Sequence, residues 1–263
     1  LAKTQEGLKN LMELMSWASG EGFYRNPLID FAKLEEYSEG LIATSSCLQG
    51  IIPQIGLGNG RFSLLSKREQ TEKIVDVTEW YIDTFGEDFY LEAHRHGIDE
   101  EETMIEVVQW LSGKYDIDVI TANDCHYAHE EDYWTQKVRA CLSTSHPGDP
   151  TYFDSEEAGR YAHENLHVKG AEEMVDLFPE FPDAPQNTME VLGKCDARLP
   201  MDGGEHFFPE CPDLKPAETA LGRLKRECGR GFKARYPNPT GEHRGRMRRE
   251  LEVIGEMGFS DYF

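Results

Sequence analysis

Three short apolar runs of this chain are each followed by side chains of the types that bind metal ions. The runs are residues 41–44, 89–93 and 118–122, and the side chains that follow them are Cys47, then His94 and His96, then Asp124 and His126. Segments of helical periodicity separate the runs, so the order strand, helix, strand, helix, strand predicts a parallel α/β fold. The carboxyl ends of parallel strands share one edge, where such folds carry their chemistry. The pattern predicts a metal-dependent hydrolase site there.

The spacing within two of these groups favours shared coordination. Asp124 and His126 are two residues apart, as are His94 and His96, so each pair can face one side of a strand end. Considered alone, Cys47 is typical of a small buried cysteine. One of the two histidines His94 and His96 is likewise explained as a packed side chain. Together the side chains suit Zn²⁺, Mn²⁺ or Fe²⁺, ions that clamp a phosphoryl group and activate water. We therefore expect phosphoester hydrolysis.

Helical periodicity and breaker residues outline the rest of the chain. The predicted helices cover residues 6–22, 67–85, 100–111, 129–142, 171–177 and 184–195. Residues 199–216 are rich in Pro and Gly and separate an acidic part from a balanced tail, so we expect a domain boundary within them.

Bulk composition restricts the class of protein. The 263 residues include 39% hydrophobic residues, enough for a core, and six cysteines without a Cys-x-x-Cys pair, which favours a reducing compartment. No apolar stretch approaches the roughly 20 residues that cross a bilayer. We expect a cytoplasmic protein with no membrane partner.

The net charge of −22 argues against nucleic acid, but the charge is unevenly distributed. Residues 205–263 contain 11 Lys and Arg against 10 Asp and Glu. The arginines Arg244, Arg246, Arg248 and Arg249 could follow a phosphate backbone, and solvated helix faces explain them equally well.

Several segments resemble, in order, the bacterial DNA polymerase III α subunits, which are C-family polymerases with a polymerase-and-histidinol-phosphatase (PHP) domain. The segments that resemble the PHP domain are residues 1–12, 39–48, 85–92, 121–127, 172–178 and 187–192. Residues 207–212 and 250–263 are similar to the entry into the polymerase module. The resemblance implies an incomplete PHP-type distorted (βα) barrel over residues 1–203 and, over 204–263, a mainly helical start of the palm and thumb.

The resemblance also implies a function. Cys47, His96, Asp124 and His126 match metal-binding positions of PHP domains that remove nucleotides from a 3′ end, and His94 is a weaker candidate. The family implies Mg²⁺ at palm aspartates, primer-template DNA and dNTPs as substrates, and the sliding clamp and other replisome subunits as partners.

The resemblance leaves three functions open. The leading one is part of a replicative DNA-directed DNA polymerase with a PHP 3′–5′ exonuclease; the alternatives are a stand-alone PHP phosphoesterase and a non-catalytic PHP scaffold that docks a proofreading nuclease. We expect a first His-x-His motif before residue 1 and the palm aspartates after residue 263. These 263 residues alone should then show neither polymerase nor robust nuclease activity.

Overall fold

Two units, Leu1–Arg198 and Leu199–Phe263, make up the chain in the computed structural model, which describes residues 1–143, 164–199 and 209–263. The predicted domain division between residues 203 and 204 lies outside the described residues. The assignment of the two domains stays a prediction.

The first unit combines short strands with helices. Its helices are α1 (Gln5–Ser19), α2 (Phe31–Glu36), α3 (Ile51–Gly56), α4 (Lys67–Phe85), α5 (Asp99–Tyr115), α6 (Tyr133–Ser143), α7 (Ala171–Leu177) and α8 (Ala184–Lys194). Its strands are β1 (Phe23–Tyr24), β2 (Asn26–Pro27), β3 (Ala43–Thr44), β4 (Phe89–Ala93) and β5 (Val119–Thr121). β1 and β2 form an antiparallel pair apart from the others.

A parallel sheet of order β3-β4-β5 organises this unit. Ala43 pairs with Phe89, and Leu91 pairs with Val119, so β4 is bonded on both edges. Parallel neighbours need crossover connections, and the segments that contain α3 with α4 and then α5 supply them. All three strands therefore end at the same edge.

The alternation of side chains along β4 buries both faces of the sheet. Phe89, Leu91 and Ala93 belong to the main core, and Tyr90 belongs to a second cluster on the opposite face with Val191 of α8. Because helices cover both faces, the strands are mostly apolar, as parallel strands usually are, and Glu92 of β4 is half-buried. This explains why the three runs are predominantly apolar in the sequence.

The predicted elements of the first unit are largely confirmed. Strand β4 and helices α4 and α7 have the predicted bounds, and the other predicted strands and helices are present with shifted ends. The two short helices α2 and α3 and the β1–β2 pair were not predicted, since six-residue helices and two-residue strands carry too few periodic positions. The described residues form mixed α/β structure with a small parallel sheet; closure into a barrel stays a prediction.

The second unit is helical, as expected. It contains α9 (Ala220–Arg235) and α10 (Gly241–Glu256), with no buried residue in either helix. The side chain of Thr219 accepts a hydrogen bond from the backbone N–H of Gly222, and Thr240 accepts one from His243. Such N-cap bonds satisfy backbone donors that the first turn leaves free.

In the part of the chain that the structure describes, no helix is long and apolar enough to cross a membrane.

Asp88 ties the start of β4 to the chain terminus and to α8. Its carboxylate lies 2.6 Å from Lys3 Nζ and 3.0 Å from Lys194 Nζ. Burial alone would raise the pKa of Asp88, but the hydrogen bonds from Lys3 and Lys194 outweigh burial and hold the pKa below its ordinary value. Asp88 therefore stabilises the fold at pH values above the pKa that this group has in the unfolded chain. The contribution is lost as the pH falls through the pKa of the folded state.

We expect Asp88→Asn to lower the free energy of unfolding at pH 7 by about 1 to 2 kcal/mol, because a charged hydrogen-bond acceptor shared by two lysines is lost. Urea unfolding of the variant and the unchanged chain at pH 7 and at pH 3 measures this. The difference should shrink at pH 3, and the exposed neighbour Glu87→Gln is the matched control. A difference that does not depend on pH would contradict the electrostatic origin.

Candidate functional site

The loops that follow β3, β4 and β5 bring the predicted site residues to the carboxyl edge of the sheet. Cys47 lies between β3 and α3, after Ser46, whose φ is +64°. His94 and His96 follow β4 directly, and Asp124 and His126 lie a few residues beyond β5. The common edge that the sequence predicts is therefore present.

His96 is held by a glutamate that the sequence analysis did not single out. Its side chain is 3% exposed, and its Nδ1 lies 2.6 Å from Glu101 Oε1. The other oxygen, Oε2, accepts the backbone N–H of His96 at 2.6 Å. Burial alone would raise the pKa of Glu101, but these bonds outweigh it and the pKa is lowered, so the group is a carboxylate at neutral pH.

The second ring nitrogen of His96 faces the loop after β5. Nε2 accepts the backbone N–H of Asp124 at 3.1 Å and lies 3.2 Å from Asn123 Oδ1. Asn123 is fixed in turn, since its Nδ2 donates to the carbonyl of His167 at 2.8 Å. This contact links the ends of β4 and β5.

Asp124 and His126 form an accessible pair beside His96. Asp124 Oδ1 lies 3.2 Å from His126 Nε2, with side chains 56% and 32% exposed. The backbone N–H of His126 donates to the carbonyl of Leu166 at 2.8 Å, which anchors the loop. The pair is open to a ligand from solvent.

Cys47 and His94 line an adjoining cavity together with Glu92 and Glu101. His94 Nε2 is 2.7 Å from Glu92 Oε1. Burial alone would raise the pKa of Glu92, but bonds to His94 and Thr44 outweigh it, and the pKa is lowered. His94 Nδ1 is buried and has no hydrogen-bond partner among the residues that the structure describes. A buried ring nitrogen without a partner is a potential ligand atom.

The predicted ligands thus fall into two neighbouring groups. His96, Asp124 and His126 are joined by direct contacts, whereas Cys47 and His94 share the cavity, and the rings of His94 and His96 are 5.7 Å apart. Within the described ranges, no three His, Cys, Asp or Glu side chains are close enough together to hold an ion as they stand. The metal-ligand assignment stays a prediction.

Three polar residues at this edge escaped sequence reasoning. Glu101 belongs to an acidic run at the start of α5 that reads as a solvated helix start, although its side chain is 4% exposed. Asn123 stands next to Asp124, which is one of the ligands predicted from the sequence. The third residue is Lys169, whose Nζ lies 3.4 Å from Asn123 Oδ1. Burial lowers the pKa of Lys169. Only the tertiary contacts single out these residues.

The arginines of α10 differ in their ion pairing. Arg246 Nε lies 2.5 Å from Glu250 Oε1, whereas Arg244, Arg248 and Arg249 are exposed and have no ion pair within the described part of the chain. Arg244 and Arg248 are one helical turn apart and so lie on one face. This face is free to meet phosphate groups.

Comparisons with known proteins agree with the resemblance. Residues 1–96 match the model of the PHP domain family. The chain is 37% identical over 267 residues to DNA polymerase III subunit alpha of Borreliella burgdorferi, and 33% identical over 266 residues to that of Treponema pallidum. These alignments cover 100% of the chain and 22% and 21% of the relatives. A third such subunit, from Thermus aquaticus, is 32% identical over 98% of the chain. The chain spans about a fifth of the length of these curated relatives.

Proposed function

We propose that this chain is part of a replicative DNA-directed DNA polymerase. Along the segment it matches, it belongs to the DNA polymerase III subunit alpha family. The observation that carries this proposal is the extent of the match, which runs through both units and reaches 98 to 100% of the chain. If the chain were a stand-alone phosphoesterase, the match of its second unit to these polymerase subunits would have no explanation. In this proposal residues 1–203 are the PHP domain and 204–263 begin the palm and thumb.

We propose that the PHP part binds divalent ions, Zn²⁺, Mn²⁺ or Fe²⁺, through Cys47, His96, Asp124 and His126, with His94 as an additional ligand. The donor set fits such ions, since imidazole, carboxylate and thiolate are their usual ligands. The Nδ1 of His94, which has no partner among the described residues, and the accessible Asp124–His126 pair support the assignment. The separation of Cys47 from the contacting trio means that ligation would also draw on movement of these side chains or on ligands from elsewhere.

The proposed reaction is hydrolysis of the terminal phosphodiester at a 3′ end. When bound, a divalent ion activates water and polarises the phosphoryl group. Glu92 would orient the imidazole of His94 through the bond described above. The exposed Asp124–His126 pair marks the side from which a DNA end would enter. The cation of Lys169, at the same edge, would face the phosphate.

The proposal extends to the cellular setting of the parent protein. Primer-template DNA and dNTPs would be the substrates, Mg²⁺ the ion at the palm, and the sliding clamp and other replisome subunits the partners. The proposed location is the cytoplasm.

Asp124→Asn in the intact polymerase should abolish metal-dependent 3′ trimming and leave primer extension unchanged, because an amide is a much weaker ligand than a carboxylate. Release of labelled 3′ nucleotides and primer extension, measured on the same preparation, test this. Asp118→Asn is the matched control, since Asp118 is exposed at the opposite end of β5. Trimming retained by Asp124→Asn would refute the site assignment.

A scaffold function is the second candidate, favoured by the fact that the described residues gather no three ligands. Elemental analysis of the intact protein after dialysis separates the two. The metal-site proposal expects at least one tightly bound divalent ion for each chain, and a pure scaffold would hold none.

We also propose that Arg244, Arg248 and Arg249 of α10, which have no ion pair among the described residues, contact the DNA backbone. Arg248→Ala in the intact polymerase should lower the slope of log affinity against log salt concentration by about 0.9, the value for one phosphate contact on duplex DNA. Arg246→Ala is the matched control and should change the slope much less, because Glu250 already neutralises Arg246. Equal slopes for Arg248→Ala and the unchanged protein would remove Arg248 from the interface.

A further inference from the structure

Glu101 is buried at the site although it lies in an acidic, mostly exposed helix turn. Its neighbours Glu100 and Glu102 are exposed, whereas the side chain of Glu101 is 4% exposed. Burying a carboxylate is unfavourable unless hydrogen bonds compensate for the lost water. Both of its oxygens are used, Oε1 by the ring of His96 and Oε2 by the backbone N–H of the same residue.

These bonds determine which nitrogen of His96 carries the proton. A carboxylate only accepts hydrogen bonds, so the nitrogen that faces Glu101, Nδ1, must be protonated. In the neutral ring the lone pair then lies on Nε2, and the backbone N–H of Asp124 donates to this atom. The neutral ring therefore presents its coordinating atom to the loop after β5.

The surroundings of Nε2 suit a cation. Asn123 Oδ1 is a second acceptor, 3.2 Å from Nε2. Two ligands about 2.1 Å from one ion, at tetrahedral to octahedral angles, are about 3.0 to 3.4 Å apart. The Asn123 amide cannot turn without giving up its bond to the His167 carbonyl. Lys169 Nζ donates to Asn123 Oδ1 at 3.4 Å and the backbone N–H of Asp124 donates to Nε2, so a bound ion would take the place of these two donors.

We infer that Glu101 is a positioning residue, which holds the proton of His96 on Nδ1 and so directs Nε2, together with Asn123 Oδ1, at a divalent ion. This inference rests on the proposed metal site and adds two residues to it, neither of them among the predicted ligands. A carboxylate that orients a ligating histidine typically contributes 10- to 100-fold to metal affinity.

Glu101→Gln is a sharp test because glutamine has one acceptor oxygen where glutamate has two. If that oxygen keeps the backbone N–H of His96, the amide NH₂ faces Nδ1 and donates to it. The proton of the ring must then move to Nε2, which removes the coordinating lone pair. The substitution keeps the size of the side chain and both contacts, one of them with its direction reversed, so the turn before α5 should still form.

The experiment measures Zn²⁺ affinity of the intact protein by competition with a chromophoric chelator, and the absorption spectrum of the Co²⁺-loaded protein. Glu101→Gln should weaken Zn²⁺ binding by 10- to 100-fold and change the Co²⁺ ligand-field bands, since one imidazole leaves the coordination sphere. Asn123→Ala should weaken binding as well. Glu100→Gln removes the same charge from the same helical turn and is the matched control, expected to bind Zn²⁺ like the unchanged protein.

A purely structural role for Glu101 predicts a different result. Thermal unfolding in the presence of a chelator would then show a lower melting temperature for Glu101→Gln, while Zn²⁺ affinity well below that temperature would stay within twofold of the unchanged protein. That outcome, with His96→Ala still losing metal, would overturn the inference and leave the proposed site standing. An unchanged protein that binds no metal would instead overturn the proposed site, and the inference with it.

Discussion

Pairing of β4 along both of its edges is the constraint on which the site depends. The strand is bonded to β3 and to β5 in parallel, so the chain leaves all three strands at one edge. Apolar side chains on both faces of β4 lock this arrangement, because a shift by one residue would exchange the two buried faces. The positions of Cys47, His96 and Asp124 follow from that register.

The residues after β4 alternate between two functions. His94 and His96 face the site, each held by a carboxylate. Arg95, between them, pairs with Glu102 and Glu180 and donates to the carbonyl of Leu177 at the end of α7. The segment thus connects the sheet to a later helix through Arg95, while His94 and His96 line the candidate site. A chain with a net charge of −22 uses its carboxylates here as hydrogen-bond acceptors rather than as solvated surface charge.

The two units carry different electrostatics. The first concentrates the acid of the chain, and the second carries the arginines of α10, of which Arg246 is neutralised by Glu250 and Arg248 is not. Counting charges along the sequence treats these arginines as equal. In the folded helix Arg246 is paired with Glu250, four residues on, whereas Arg248 has no ion pair among the described residues although Glu252 stands at the same spacing.

The sequence by itself determined the order of strands and helices, the bounds of α4, β4 and α7, and the edge that carries Cys47, His96 and Asp124. Periodicity is a local property, so the helical segments and the short apolar runs between them can be read from the sequence. Segments too short to show a period, such as α2 and α3, were missed for the same reason. The tertiary structure alone decided that Glu101 is buried against His96, that Asn123 faces the same ring nitrogen, and that Cys47 lies with His94 in an adjoining cavity. The contacts of Asn123 with His96 and of Cys47 with His94 join residues that follow different strands, and the Glu101–His96 contact depends on the turn between β4 and α5. No periodic pattern of residues encodes which of these side chains meet.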